Sequence, residues 1–259
     1  TDIDAVYIPL PPALHFRWAM EALRHGKHIL VEKPFSPCVT DTRRVIEEAQ
    51  KRGLSVMENY GFCFHEQVRL IRQMIAADEI GELRLIRASF GFPHRDSHDF
   101  RYAKKMGGGA LLDCGGYTLK AASVFLGDDA RIVDSSSVIT KDHEVDVFGT
   151  ASLRGKNGLT AQVSYGMDHY YKCELEIWGS KGCLSAPRIF TAPDGFPAPV
   201  LVRTGDGTKE LFAGDDQFLK VVERFRECME DDSVRKDTYR EIIRQSVLVD
   251  NCKNGEWYI

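Results

Sequence analysis

The first 58 residues alternate short apolar runs with amphipathic stretches, and that rhythm limits the possible folds more than any other feature of the chain. Ala5-Val6-Tyr7-Ile8, His28 to Val31 and Leu54 to Met57 read as strands. From Pro12 to Gly26, residues Leu14, Trp18 and Leu23 with Ala19 and Ala22 form one helical face. A second helix, from Thr40 to Gly53, carries Val45, Ile46 and Ala49. Strands joined through helices in this way are parallel, with right-handed crossovers. The middle strand delivers Glu32-Lys33-Pro34 at its carboxyl end, the edge at which open α/β sheets bind ligands.

Beyond Tyr60 the pattern changes. A helix is expected from Gln67 to Ala77, a strand from Arg84 to Phe92, and then a polar loop from His94 to Lys105. Gly107-Gly-Gly-Ala-Leu-Leu-Asp113 leads into a helix closing at Gly127, and alternating strands follow. Ala161, Val163 and Tyr165 oppose Thr160, Gln162 and Ser164, which predicts a sheet buried on one face. Hairpin turns at Arg154 to Gly158 and Gly179 to Gly182 make that sheet largely antiparallel. Phe218, Val221, Val222 and Phe225 mark an amphipathic helix, and Tyr239 to Asn251 another.

The 259 residues carry a formal charge of -4, with no basic face for nucleic acid and no apolar run long enough to span a membrane. The seven cysteines are scattered and form no C-x-x-C pair, so neither a disulfide framework nor a zinc site is expected, and a reducing cytoplasm fits. Only His94 and His98 have a helical four-residue spacing, and they lie in a loop, so no metal site is expected. No serine stands in a G-x-S-x-G elbow.

Two places can carry chemistry. Lys33, at its strand end beside Glu32, can donate a hydrogen bond to a substrate oxygen, with partial burial drawing its pKa down toward the range of proton transfer. A lysine there is also often no more than a solvated strand end. Asp113 and Tyr117 lie four apart on one expected helical face behind three glycines that let backbone approach a ligand. Tyr117 would exchange a proton with a carbonyl or alcohol, its phenol pulled down by a cation such as Lys33. It serves equally well as a packing residue.

The ordered motifs Asp4-Ala-Val-Tyr-Ile8, Pro11-x-x-x-His15, Ala22-Leu-x-x-Gly26, Glu32-Lys-Pro34, Ile80-Gly-Glu82, Gly107 to Asp113, Tyr117 and Gly179-Ser180 resemble one family. It is the glucose-fructose oxidoreductase, inositol dehydrogenase and MocA family of NAD(P)-dependent oxidoreductases. The resemblance implies that residues 1–58 are the C-terminal half of a Rossmann-type dinucleotide-binding domain, and 59–259 an α+β domain for substrate binding and oligomerisation. The fold class is thus α/β plus α+β, an N-terminally truncated parallel sheet followed by a large, mainly antiparallel sheet flanked by helices. A full member carries roughly 60 to 70 further N-terminal residues, holding a G-x-G-x-x-G turn.

The resemblance also implies roles. Lys33, Tyr117 and Asp113 would be catalytic, Pro9, Pro11, His15, Glu32 and Lys33 would bind NAD or NADP, and Arg101, Tyr102 and His169 would bind a sugar-like substrate. Phe90-Gly-Phe-Pro93, Asp99-Phe-Arg-Tyr102 and Asp216-Gln-Phe218 are most similar to ketoreductases of nucleotide-linked deoxysugars. Homodimers or homotetramers are implied as well. The alternative is a naturally truncated member without conventional cofactor binding, acting as a cofactor-independent acid/base catalyst or as a non-catalytic ligand-binding subunit.

Overall fold

A computed structural model describes residues 2–96 and 98–258. Its first sheet has three parallel strands in the order β1 (Ala5–Ile8), β2 (His28–Glu32) and β3 (Val56–Asn59), joined by α1 (Pro12–Arg24) and α2 (Val39–Arg52). The central strand is buried on both faces. Ile29 and Val31 join a core with Ala19, Leu23, Val45 and Ile46, whereas Leu30 meets Val221, Phe225 and Cys228 on the other side. The period of two along β2 therefore divides its side chains between two helical layers.

After α3 (Glu66–Ala76) the chain builds a nine-stranded sheet from β4 (Leu83–Gly91), β5 (Arg131–Ile139), β6 (Asp146–Arg154), β7 (Thr160–Gly166), β8 (Lys172–Gly179), β9 (Gly182–Pro187), β10 (Ala198–Thr204), β11 (Gly207–Ala213) and β12 (Glu256–Tyr258). The β4–β7 and β5–β12 pairs are parallel, and the other neighbours are antiparallel, as the hairpin turns require. Helix α4 (Gly116–Leu126) covers one face, where Ile86, Ala88 and Phe90 are buried; Arg87 and Ser89 alternate with them. Helices α5 (Gln217–Glu230) and α6 (Asp232–Cys252) return to the first sheet, with Tyr239 and Ile242 of α6 entering its core. No helix among the described residues is long and apolar enough to cross a membrane.

Four expectations need correction. Strand β3 lies two residues later than the apolar run suggests, because pairing with β2 extends it through Glu58 and Asn59, opposite Val31 and Glu32. In α1 the buried line is His15, Ala19 and Leu23, and Trp18 is 44% exposed. In α5 the inward residues are Val221, Phe225 and Cys228, leaving Phe218 and Val222 exposed. Helix α6 also starts earlier than its apolar pattern, because the Asp231 carboxylate caps it by accepting bonds from the amides of Ser233 and Val234.

Candidate active site

The turn after β2 puts Lys33 at the edge of the first sheet and holds it from several directions. Its ammonium donates to the Asp113 carboxylate at 2.7 Å and to the Asp113 carbonyl at 2.8 Å, and lies 4.9 Å from the centre of the Tyr117 ring. Two backbone points of the turn are pinned as well. A ring nitrogen of His15 lies 2.9 Å from the Pro34 carbonyl, and the Phe35 amide donates to Glu58 at 2.7 Å.

The partner segment begins at the glycine run. The close approaches expected there with a ligand are made with the protein itself: a Cβ at Gly108 would strike the Arg101 carbonyl, and one at Gly109 the Asp146 carboxylate. Asp146 accepts from the Leu111 amide at 2.7 Å and so anchors one turn of π-helix, Leu111–Gly115, that precedes α4. Asp113 is on this wider turn and Tyr117 on the α-helix after it, instead of one regular helix. Both still meet Lys33. Arg101 donates to the second Asp113 oxygen at 2.7 Å, so this carboxylate bridges two cations.

Burial and contact set the charges. For Lys33, desolvation is the largest influence and pushes its pKa down, but Asp113 and Tyr117 more than reverse it, so the net shift is upward. The lysine is therefore a fixed cation, not the proton-transfer base that burial alone suggests. For Asp113, burial raises the pKa, yet Lys33 and Arg101 bring it below the ordinary carboxylate value. Tyr117 shifts upward, against expectation, because desolvation outweighs the nearby lysine. Its ring packs among Tyr60, Phe62, Phe90 and Phe190. Its hydroxyl has no hydrogen-bond partner among the described residues.

A cavity of about 250 Å³ adjoins Lys33, lined among others by Pro9, Pro11, Glu32, Arg101, Gly107 and Asp113. Tyr7 at 2.5 Å and Asn59 at 2.6 Å both donate to Oε1 of Glu32. These walls fit the reactive end of a dinucleotide, offering proline rings, glycine backbone and two carboxylates held beside Lys33 and Arg101. His15 lies behind the wall, fully buried, with both ring nitrogens at backbone carbonyls. Tyr102 stacks on His94, and its hydroxyl bonds the Met167 carbonyl. His169 lines a separate hollow with Ser89, Thr150 and Ser164, on the sheet face away from α4. Two residues of the site, Glu58 and Asp146, escaped sequence reasoning. No local signal marks Asp146, and Glu58 was visible only as an acidic residue after an apolar run.

Residues 1–60 match a model described as the oxidoreductase family, NAD-binding Rossmann fold, and residues 68–185 match the GFO/IDH/MocA C-terminal domain. A dTDP-3,4-didehydro-2,6-dideoxy-alpha-D-glucose 3-reductase of Actinomadura kijaniata is 38% identical over 255 residues, covering 98% of this chain and 77% of that protein. The D-xylose 1-dehydrogenase (NADP(+)) 2 of Haloferax volcanii is 31% identical, over 88% of this chain and 70% of its own. Among solved structures, a 3-ketoreductase from Actinomadura kijaniata in complex with NADP and TDP-benzene superimposes with a TM-score of 0.94 at 38% identity, covering all of this chain and 80% of that one. The same ketoreductase has been solved with a tyrosine changed to phenylalanine and with a lysine changed to alanine. Relatives that are reductases and dehydrogenases weigh against the cofactor-independent alternative.

Proposed function

This chain belongs to the glucose-fructose oxidoreductase, inositol dehydrogenase and MocA family of NAD(P)-dependent oxidoreductases, and we propose that it reduces a ketone to a secondary alcohol on a nucleotide-linked deoxysugar. The observation that carries this reading is the meeting of Lys33 and Asp113 in the wall of the cavity at the end of β2, with the Tyr117 ring against the lysine. Bound NAD(P)H supplies the hydride. Pro9, Pro11, Glu32 and Lys33 would hold it.

Asp113 fixes two of the lysine's contacts, through its side chain and its carbonyl. The third N–H remains to polarise the substrate carbonyl. Tyr117 then delivers the proton to the developing alkoxide. Burial keeps the phenol protonated in the resting site, and the Lys33 cation beside its ring offsets part of that upward shift as the proton leaves. Arg101 is engaged by Asp113 and Asp99 and lines the cavity, so it shapes the charge of the pocket. Tyr102, held by His94 and the Met167 carbonyl, would meet the substrate only beyond the cavity lining, and His169 only a portion that extends to the far sheet face.

Residues 1–58 are read as the C-terminal half of the dinucleotide unit and 59–259 as the substrate unit. The free cysteines suit a reducing cytoplasm. The sheet face away from α4, with Trp178 exposed, would pair copies into a homodimer or homotetramer, which gel filtration checks. The central test is turnover of dTDP-linked 3-keto-deoxysugars with NADPH and NADH. Turnover of free sugars alone would overturn the nucleotide-linked assignment.

A further inference from the structure

A second cavity, of about 450 Å³, lies between the end of β3 and helices α3 to α6, and Glu58 is in its wall. The same side chain also meets the turn after β2, where one carboxyl oxygen accepts the Phe35 amide. Phe35 is itself buried in the core of the first sheet, so its amide is a rigid handle on the turn. We propose that Glu58 is a positioning residue for the reaction, holding the Phe35 amide and thereby fixing the turn on which Lys33 meets substrate. This rests on the role given to Lys33 above.

The geometry favours positioning over filling space. Lys33 is only two residues from the clamped amide, and its angle toward a substrate is set by that turn and by Asp113. On the other side of the turn His15 secures the Pro34 carbonyl, so loss of Glu58 would leave one clamp of two. Glu58 is also a group that can titrate in place. Burial raises its pKa to about 7, while Lys120 from α4, the Phe35 amide and Lys33 draw it down and Glu32 from β2 raises it. The rest of the cavity carries Arg72 from α3, Arg224 from α5, and Glu241 and Arg244 from α6, with Asp128 after α4 paired to Arg244. When the proton leaves Glu58, its bond to the amide becomes charge-assisted and stronger. Turnover should therefore rise through neutral pH as the clamp tightens.

The test compares Glu58→Ala with Glu58→Gln, whose amide oxygen can accept the same bond. Alanine should lower kcat by about 10-fold or more with KM for the dTDP-keto sugar within about 2-fold. Glutamine should keep kcat within about 3-fold but lose the inflection near pH 7. Independently of turnover, acylation of Lys33 by acetic anhydride, read by mass spectrometry on the ligand-free chain, should change in the alanine variant and not in the glutamine one. Wild-type labelling and kcat in Glu58→Ala would overturn the proposal, as would equal losses in both variants. Should the alanine variant not fold, an unchanged pH inflection in Glu58→Gln overturns it. If the wild type turns over no dTDP-keto sugar, the functional reading fails, and the labelling still decides the role of Glu58.

Discussion

Two mostly buried lysines face carboxylates in this molecule, with opposite results. Lys33 touches Asp113 at 2.7 Å, and Asp113 is further bound by Arg101. Lys120 has its ion pair with Glu241 at 3.5 Å, and it influences Glu58 only across the second cavity. In the first place both partners stay charged, Lys33 raised and Asp113 lowered. In the second, Glu58 rises to about 7. Burial is common to both. Direct contact with a cation decides whether a buried carboxyl remains an anion or becomes a proton store, since Glu58 has the Phe35 amide but, among the described residues, no cation on its oxygens.

The largest effect that would break this contrast belongs to Asp113. Replacing it by Asn leaves Lys33 without its carboxylate in a poorly solvated place, while Arg101 keeps only Asp99, and stability in urea should fall by about 3–5 kcal/mol. A loss below about 1 kcal/mol would put the tight pair in the same class as the loose one. Next come Lys33→Met and Tyr117→Phe, each expected to lower kcat about 100-fold or more while the melting transition stays cooperative. Near-normal rates in both would remove the acid and the polarising cation from the mechanism.

The loose side is tested by pH. Because the folded pKa of Glu58 is above its unfolded value, the folded state holds the extra proton between about 4.5 and about 7. Stability from this group is complete at acid pH and is lost as pH rises through that window, by about 3 kcal/mol. Urea titrations of the wild type at pH 5 and 8 should show the fall, and Glu58→Gln should flatten it. The smallest change is expected for Lys120→Met. Its stability should stay within about 1 kcal/mol, while the inflection assigned to Glu58 moves to higher pH for want of its main neighbouring cation.

Much of this was legible because it is local. The alternation in the first 58 residues predicts parallel strands, and β1 lies where the apolar run is. Lys33, at a strand end, is marked by position alone. What was hidden depends on partners far along the chain. Nothing near Trp18 says that buried His15 takes the inward face, since the carbonyl it secures belongs to Pro34. Nothing near Glu58 says that a charge continues a strand, because its acceptor role is defined by the fold of residues 33–35. That Arg101 also binds Asp113 is a matter of the fold, which no spacing in the sequence reveals. The upward shift of Tyr117 needs the aromatic cage from β4 and from Phe190, which no spacing rule reveals.

The contact between Lys33 and Asp113 closes a loop of 80 residues in sequence. Such long closures cost chain entropy before they return any contact energy, so they form late in folding. The helices and the β-hairpins draw on neighbours close in the chain, and they can assemble well before that loop shuts. During refolding, backbone order should therefore recover first and the ability to turn over substrate last. The competent enzyme is a report that its two ends of the loop have met.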